Sequence, residues 1–242
     1  MYSTPTSTVL TSFGLDEPPS FNGEIVYPDS DGEPRADNAL QLDWMIELHT
    51  HLSRLLRDDF VAANLFWYPV KGRPDIRTAP DILVALGRPK GHRFSYKQWE
   101  EGGIAPQVVF EIWSSVNPPN HRRDKLVWYE QYGVEELYAF DSETGEAEGW
   151  QRDADKLERI ADMRDWVSPR LPIRPVVENG ELTLYDRKGN RCLTVAEAFA
   201  KADELRAEAR RLAAENTLES IVVEKERAFA KLRELGIDPN SL

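Results

Sequence analysis

Asp81 and Glu111 stand thirty positions apart, each inside an otherwise apolar segment: Pro80-Asp81-Ile82-Leu83-Val84-Ala85 and Gln107-Val108-Val109-Phe110-Glu111-Ile112-Trp113-Ser114. A carboxylate in an apolar strand is costly to bury unless something compensates it, and a divalent cation is a common compensation. The opposite charge follows in Arg122-Arg123-Asp124-Lys125-Leu126-Val127-Trp128. On a helix Lys125 shares an aromatic stripe with Trp128 or Tyr129 and with Tyr132, so its ammonium should turn back toward a sheet or snorkel to its edge. Asp124 lies about 100° around that helix and should be exposed, while His121, four positions before Lys125, is a secondary candidate. Two acids and a lysine suit metal-assisted phosphodiester hydrolysis. The acids hold Mg²⁺ or Mn²⁺, the metal polarises the phosphate and lowers the pKa of an attacking water, and the lysine stabilises developing charge or positions that water. The competing reading is a set of satisfied structural ion pairs. A glycosidase carboxylate pair is a third, disfavoured by the apolar surroundings.

The elements that must position these residues can be read from periodicity. Leu42, Ile46, His49, Leu52 and Leu56 recur at helical spacing after Asp37 or Asn38, predicting a helix over 38–57. His49 falls on that stripe and His51 off it; two histidines so spaced are poorly placed to share a metal, and both read as structural. Asn64 to Val70 reads as the first core strand, Asp81 to Leu86 as the second and Gln107 to Ser114 as the third, with Gly87 to Gly103 a long basic loop. Both faces of the third strand are apolar, which predicts a central strand covered on both sides. A helix to about Tyr132, a Gly133 cap and the strand Glu136 to Asp141 complete a strand-helix-strand unit, hence a parallel or mixed sheet with helical cover. Short strands are expected at 145–150, 157–161, 176–177 and 181–185, with an edge or linker at 171–175.

The flanks differ in character. Residues 1–35 are expected to form a turn-rich arm with a short strand near Glu24 to Tyr27, 36–190 the folded domain, and 194–236 a long charged helix, without Gly or Pro from Thr194 to Leu235. Its stripes, Ala198-Ala202-Leu205-Ala209-Leu212 and Leu218-Ile221-Lys225-Ala228-Leu232-Leu235, are out of register with one another. A coiled-coil homodimer through this helix is one expectation; a helix that folds back or stays exposed is the other.

Composition narrows the partners. The lone Cys192 excludes an intramolecular disulfide and a thiolate cluster. No run approaches the ~20 apolar residues of a membrane span, and the expectation is a soluble, cytoplasmic protein with no membrane partner. A net charge of −12 argues against nucleic acid. Residues 71–97, however, carry seven basic side chains against only Asp75 and Asp81, a candidate positive rim beside the acids.

Taken together, Pro80-Asp81, the Val-Val-Phe-Glu-Ile-Trp-Ser segment ending at Ser114, Asp124 and Lys125, Tyr129, Tyr132-Gly133-Val134-Glu135-Glu136 and Phe140-Asp141 resemble the Uma-two family of restriction-endonuclease-like proteins, within the PD-(D/E)XK nuclease superfamily. The resemblance runs from about Asp31 to Tyr185. It implies an α/β fold, a mixed central sheet flanked by helices, with 36–190 as the restriction-endonuclease-like domain and the long C-terminal helix appended. It also implies a Mg²⁺- or Mn²⁺-dependent endonuclease acting on DNA. Carried over by position, Asp81 and Glu111 are the motif acids and metal ligands. The lysine expected two after the glutamate is replaced here by Trp113, and the resemblance moves that role to Lys125. Gln107, or an acid of the first helix such as Glu47, is the auxiliary-ligand candidate. The missing motif lysine and the acidic charge keep a second class open: a nuclease fold retained as a catalytically inactive nucleic-acid-binding or oligomerising module.

Overall fold

A computed structural model describes residues 20–21, 24–30, 32, 38–114 and 117–234. Much of the 1–35 arm, Asp37 and Leu235 lie outside the described residues. The chain divides into two compact units, Met1–Cys192 and Leu193–Leu242.

In the first unit, a small hairpin pairs β1 (Ser20–Phe21) with β2 (Glu24–Ile25). Helix α1 (Ala39–Leu55) follows, started by Asn38, whose side-chain oxygen accepts from the Gln41 N–H at 2.8 Å. Its buried face is not the predicted stripe. Gln41, Trp44, Met45, Leu48, His51 and Leu52 point inward, while Leu42 and Ile46 are 44% and 47% exposed. The larger apolar area of Trp44, Met45 and Leu48 outweighs the Leu42–Ile46 stripe and sets the helix rotation. The histidines are therefore reversed: His51 is buried, with Glu47 3.4 Å away, and His49 is half-buried.

Six strands form the main sheet, in the order β10-β9-β8-β7-β5-β3. They are β3 (Phe60–Ala63), β5 (Ile82–Ala85), β7 (Val108–Trp113), β8 (Glu136–Asp141), β9 (Ala147–Asp153) and β10 (Lys156–Arg159). Only β7 and β8 are parallel, joined by α2 (Pro119–Tyr132), so the sheet is mixed as predicted. Gly133 ends α2 at φ 95°, a left-handed conformation in which its N–H reaches the Tyr129 carbonyl.

The predicted first strand is corrected. Asn64, at φ 45°, breaks the chain after β3, and Trp67–Tyr68 (β4) pairs instead with β6 (Tyr96–Lys97) outside the main sheet. β6 and a 3₁₀ turn at Gln98–Glu101 thus lie within the expected long loop. β11 (Ile173–Glu178) and β12 (Glu181–Asp186) form a separate hairpin, on which Pro175 is accommodated.

All six residues of β7 are buried. Alternation sends Val108, Phe110 and Ile112 toward Trp44, Met45, Leu48 and Leu52 of α1, and Val109 and Trp113 into a second cluster with Leu83, Ala85, Tyr129 and Trp67. The sheet is therefore sandwiched at β5 and β7 between α1 and α2.

The second unit is a helix, α3 (Val195–Glu234), 40 residues long, with no buried residue. Leu205, Leu212, Leu218 and Ile221 of the predicted stripes are 48–63% exposed. Among the described residues no helix is long and apolar enough to cross a membrane.

Candidate active site

Strand register brings the two acids together. Ile82 pairs with Phe110 in the antiparallel β5/β7 ladder, so Asp81, one step before β5, stands across from Glu111. Glu111 shares the α2-facing side of β7 with Val109 and Trp113, as alternation predicts. Helix α2 meets it there with two side chains one turn apart. The Lys125 ammonium lies 2.7 Å from Glu111 Oε2, and the Tyr129 hydroxyl donates to Oε1. Glu111 is 1% exposed, so both bonds replace water it has lost.

Asp81 is held from the backbone: the Ile112 N–H donates to its Oδ2 at 2.6 Å. Gln41 reaches in from α1, its amide nitrogen donating to the Ile112 carbonyl at 3.0 Å and the side chain also hydrogen-bonding Asp81. Behind Tyr129, the Thr78 side chain hydrogen-bonds the phenol.

The electrostatics follow from one ammonium serving two acids. Burial, and then the Glu111 charge, push the Asp81 carboxyl up to about 7, against smaller opposing effects of Lys125, the Ile112 N–H and Gln41. Burial and the same Glu111 charge hold Tyr129 far above its ordinary range, so it remains a donor at any physiological pH.

The structure thus assembles Asp81, Glu111 and Lys125, the three side chains singled out in the sequence. It does not bring Gln107 to them: that amide accepts from the Leu86 N–H at 2.8 Å, beside the far end of β5. Glu47 pairs with His51, and the residue of α1 that reaches the acids is Gln41. His121 is half-buried in the first turn of α2, and Asp124 is exposed beside Arg123.

The basic segment is less a free rim than expected. Arg73 pairs with Asp75 and Arg93 with Glu101, each at 2.5 Å; Lys97 lies 3.7 Å from Glu100; Arg88 and Lys90 donate to the Glu101 and Ser53 carbonyls. These cations are tied into the fold and partly neutralised by it.

Trp113, two positions after Glu111, is 6% exposed. Its ring packs 6.3 Å from Trp150, with the Arg122 guanidinium 4.8 Å from its centroid. Its indole N–H has no hydrogen-bond partner among the described residues.

Gln41, Tyr129 and Thr78 are the site residues that sequence reasoning missed. Tyr129 had a signal, since it lies four positions after Lys125 on the same stripe. Gln41 had a weaker one, a polar residue on the same helix face as Trp44, Met45 and Leu48. Thr78 had none.

Among the described residues no three His, Cys, Asp or Glu side chains form a metal-ligand group. The oxygen ligands present are two carboxylates and the Ile112 carbonyl, hard donors of the kind Mg²⁺ and Mn²⁺ take, while Gln41 presents its amide nitrogen to that carbonyl. Two acids against one ammonium, with Asp81 raised to about 7, is a charge balance that an added cation would relieve. On donor chemistry and charge, the residues fit such an ion.

The family model Uma2, described as "Putative restriction endonuclease", matches residues 18–178. Comparison with curated proteins gives no match. Among solved structures, a "putative nuclease" from Anabaena variabilis aligns with 14% identity and a TM-score of 0.42, covering 61% of this chain and 78% of its own.

Proposed function

The chain belongs to the Uma2 family of restriction-endonuclease-like proteins, and from that premise we propose that it is a metal-dependent endonuclease cleaving phosphodiester bonds in DNA. The observation that carries this reading is the meeting of Asp81, Glu111 and Lys125 at one point of the sheet, with Lys125 Nζ 2.7 Å from Glu111 Oε2. Asp81 and Glu111 would hold Mg²⁺ or Mn²⁺, which supplies Lewis-acid polarisation of a phosphate and an activated water. The chain's own contributions are orientation and charge. The Ile112 N–H and Gln41 fix Asp81, and Tyr129 fixes Glu111. Lys125, paired with Glu111, is placed to stabilise charge developing on the phosphate.

The test is nicking of supercoiled plasmid by the full chain with Mg²⁺ or Mn²⁺. Activity should be lost in Asp81→Ala, Glu111→Ala and Lys125→Met; nicking unchanged in the first two rejects the assignment.

A second reading has its own support. Both Glu111 oxygens are already engaged, and Trp113 fills the motif-lysine position, features of a fold that binds nucleic acid without cleaving it. Calorimetry without divalent-metal binding, alongside salt-sensitive DNA binding, would select that reading.

The proposal extends to organisation: a cytoplasmic protein with a turn-rich arm (1–35), a nuclease domain over 36–190 and a helix over 194–236 that pairs two copies. A sedimentation mass that is dimeric for the full chain and monomeric after truncation at Cys192 supports the pairing, and equal monomeric masses reject it.

A further inference from the structure

We propose that Tyr129 is a positioning residue of this site, whose hydroxyl keeps Glu111 aimed at the cation position when Lys125 turns from Glu111 toward substrate. The inference rests on the metal-dependent reading above and adds a residue to it.

Glu111 has two anchors of different kinds. One is the Lys125 ammonium, on a long flexible side chain whose surface is 17% exposed. A cation on Oε2 and a charge-stabilising contact with phosphate both compete for that bond. The other anchor is the phenol of Tyr129, with no exposed surface and its ring parallel to that of Trp67, centroids 6.5 Å apart. It has only two side-chain torsions, both fixed by packing. Its hydroxyl donates to Oε1, the oxygen Lys125 does not use. The Thr78 side chain bonds the phenol from behind, so the donating proton is directed at Glu111.

A buried carboxylate that loses one partner keeps its orientation only through the other. Without the phenol, Glu111 would be free to follow Lys125, and the two acids would no longer be held opposed. Partners that orient metal ligands in this way are typically worth 10–100-fold in metal affinity.

The test uses Tyr129→Phe, which keeps the ring and removes the hydroxyl, with Trp128→Phe as a packing control. Trp128 contacts Trp67, Tyr129 and Tyr132 but not the acids. Mn²⁺ binding by calorimetry should weaken about 10–100-fold in Tyr129→Phe, with plasmid nicking falling in kcat more than rising in KM. Trp128→Phe should lower the melting temperature and leave Mn²⁺ affinity unchanged. Thr78→Val, which leaves the phenol in place, should give a smaller loss of affinity in the same direction and decides the matter if Tyr129→Phe does not fold. Wild-type Mn²⁺ affinity in folded Tyr129→Phe, or in Thr78→Val where the former is unfolded, overturns the inference while leaving the metal site standing. Absence of Mn²⁺ binding in the unmodified chain overturns both.

Discussion

Asp81 and Glu111 stand across from one another on β5 and β7, and the backbone N–H that follows Glu111 is itself the donor to Asp81, 2.6 Å from its Oδ2. Asp81 therefore cannot shift without disturbing the strand that carries Glu111, whose own carboxylate is held from α2. The sheet sets the two positions opposite one another, and the helices supply the counter-charge and the donors that orient the carboxylates.

The first consequence is a pH dependence of stability. The Asp81 carboxyl is raised from 3.8 to about 7 in the folded protein. Between those values the native state binds more protons than the unfolded one, so this residue's contribution is favourable at low pH and is lost as pH rises through about 7. Asp81 is half-buried by surface area, and solvent screening limits this contribution to on the order of 2–4 kcal/mol. Asp81→Asn should thus raise the melting temperature at pH 8 in the absence of metal and change it little at pH 5. Equal shifts at the two pH values would contradict this account.

The ion pair between Lys125 and Glu111 is the second. Their side chains are 17% and 2% exposed, so removing either partner strands a buried charge or donor. Lys125→Met should cost about 3–5 kcal/mol, and the double change Lys125→Met with Glu111→Gln should recover a large part of it. Urea unfolding of the four proteins measures the coupling; additive losses would mean that the pair does not act as a unit.

How much of this could be read in the sequence depended on the kind of signal. Asp81 and Glu111 drew notice as charges within apolar runs, and Lys125 through the aromatic stripe it shares on its helix and through the family resemblance. The sheet's mixed character was legible because a helix follows β7 within a few residues. What failed were competitions between neighbouring patterns. In α1 two apolar stripes lie about 100° apart, and only packing area chose Trp44, Met45 and Leu48 over Leu42 and Ile46. At Asn64 a single positive φ separates Phe60–Ala63, which supplies the sheet strand, from the aromatic run over 64–70 that was expected to supply it. Thr78 stayed invisible because its partner is distant in the chain, and Gln41 because the helix face it shares with Trp44, Met45 and Leu48 was not the stripe expected to be buried.

Trp113 gives a third expectation. Restoring the motif by Trp113→Lys places an ammonium where the Arg122 guanidinium already lies 4.8 Å from the ring and removes the packing on Trp150. The loss should be several kcal/mol, from cavity and like-charge effects together. Plasmid nicking should not rise. A folded variant with higher kcat would show instead that the strand position remains competent and that Lys125 is dispensable.

Gln41 offers the sharpest contrast between stability and metal binding. It touches Asp81 and the Ile112 carbonyl as a neutral donor, and among the described residues no third acid accompanies the pair. Gln41→Glu would supply that acid at nearly constant volume. In chelator the variant should be destabilised by about 1–3 kcal/mol, since the Ile112 carbonyl loses its donor and a third negative charge joins the pair. In Mn²⁺ the order should reverse, because the added carboxylate binds the folded state's cation and ligand binding stabilises by mass action. Thermal melts of both proteins with chelator and with millimolar Mn²⁺ measure this crossover. A Gln41→Glu protein destabilised equally under both conditions would show that no Mn²⁺ is held beside Gln41.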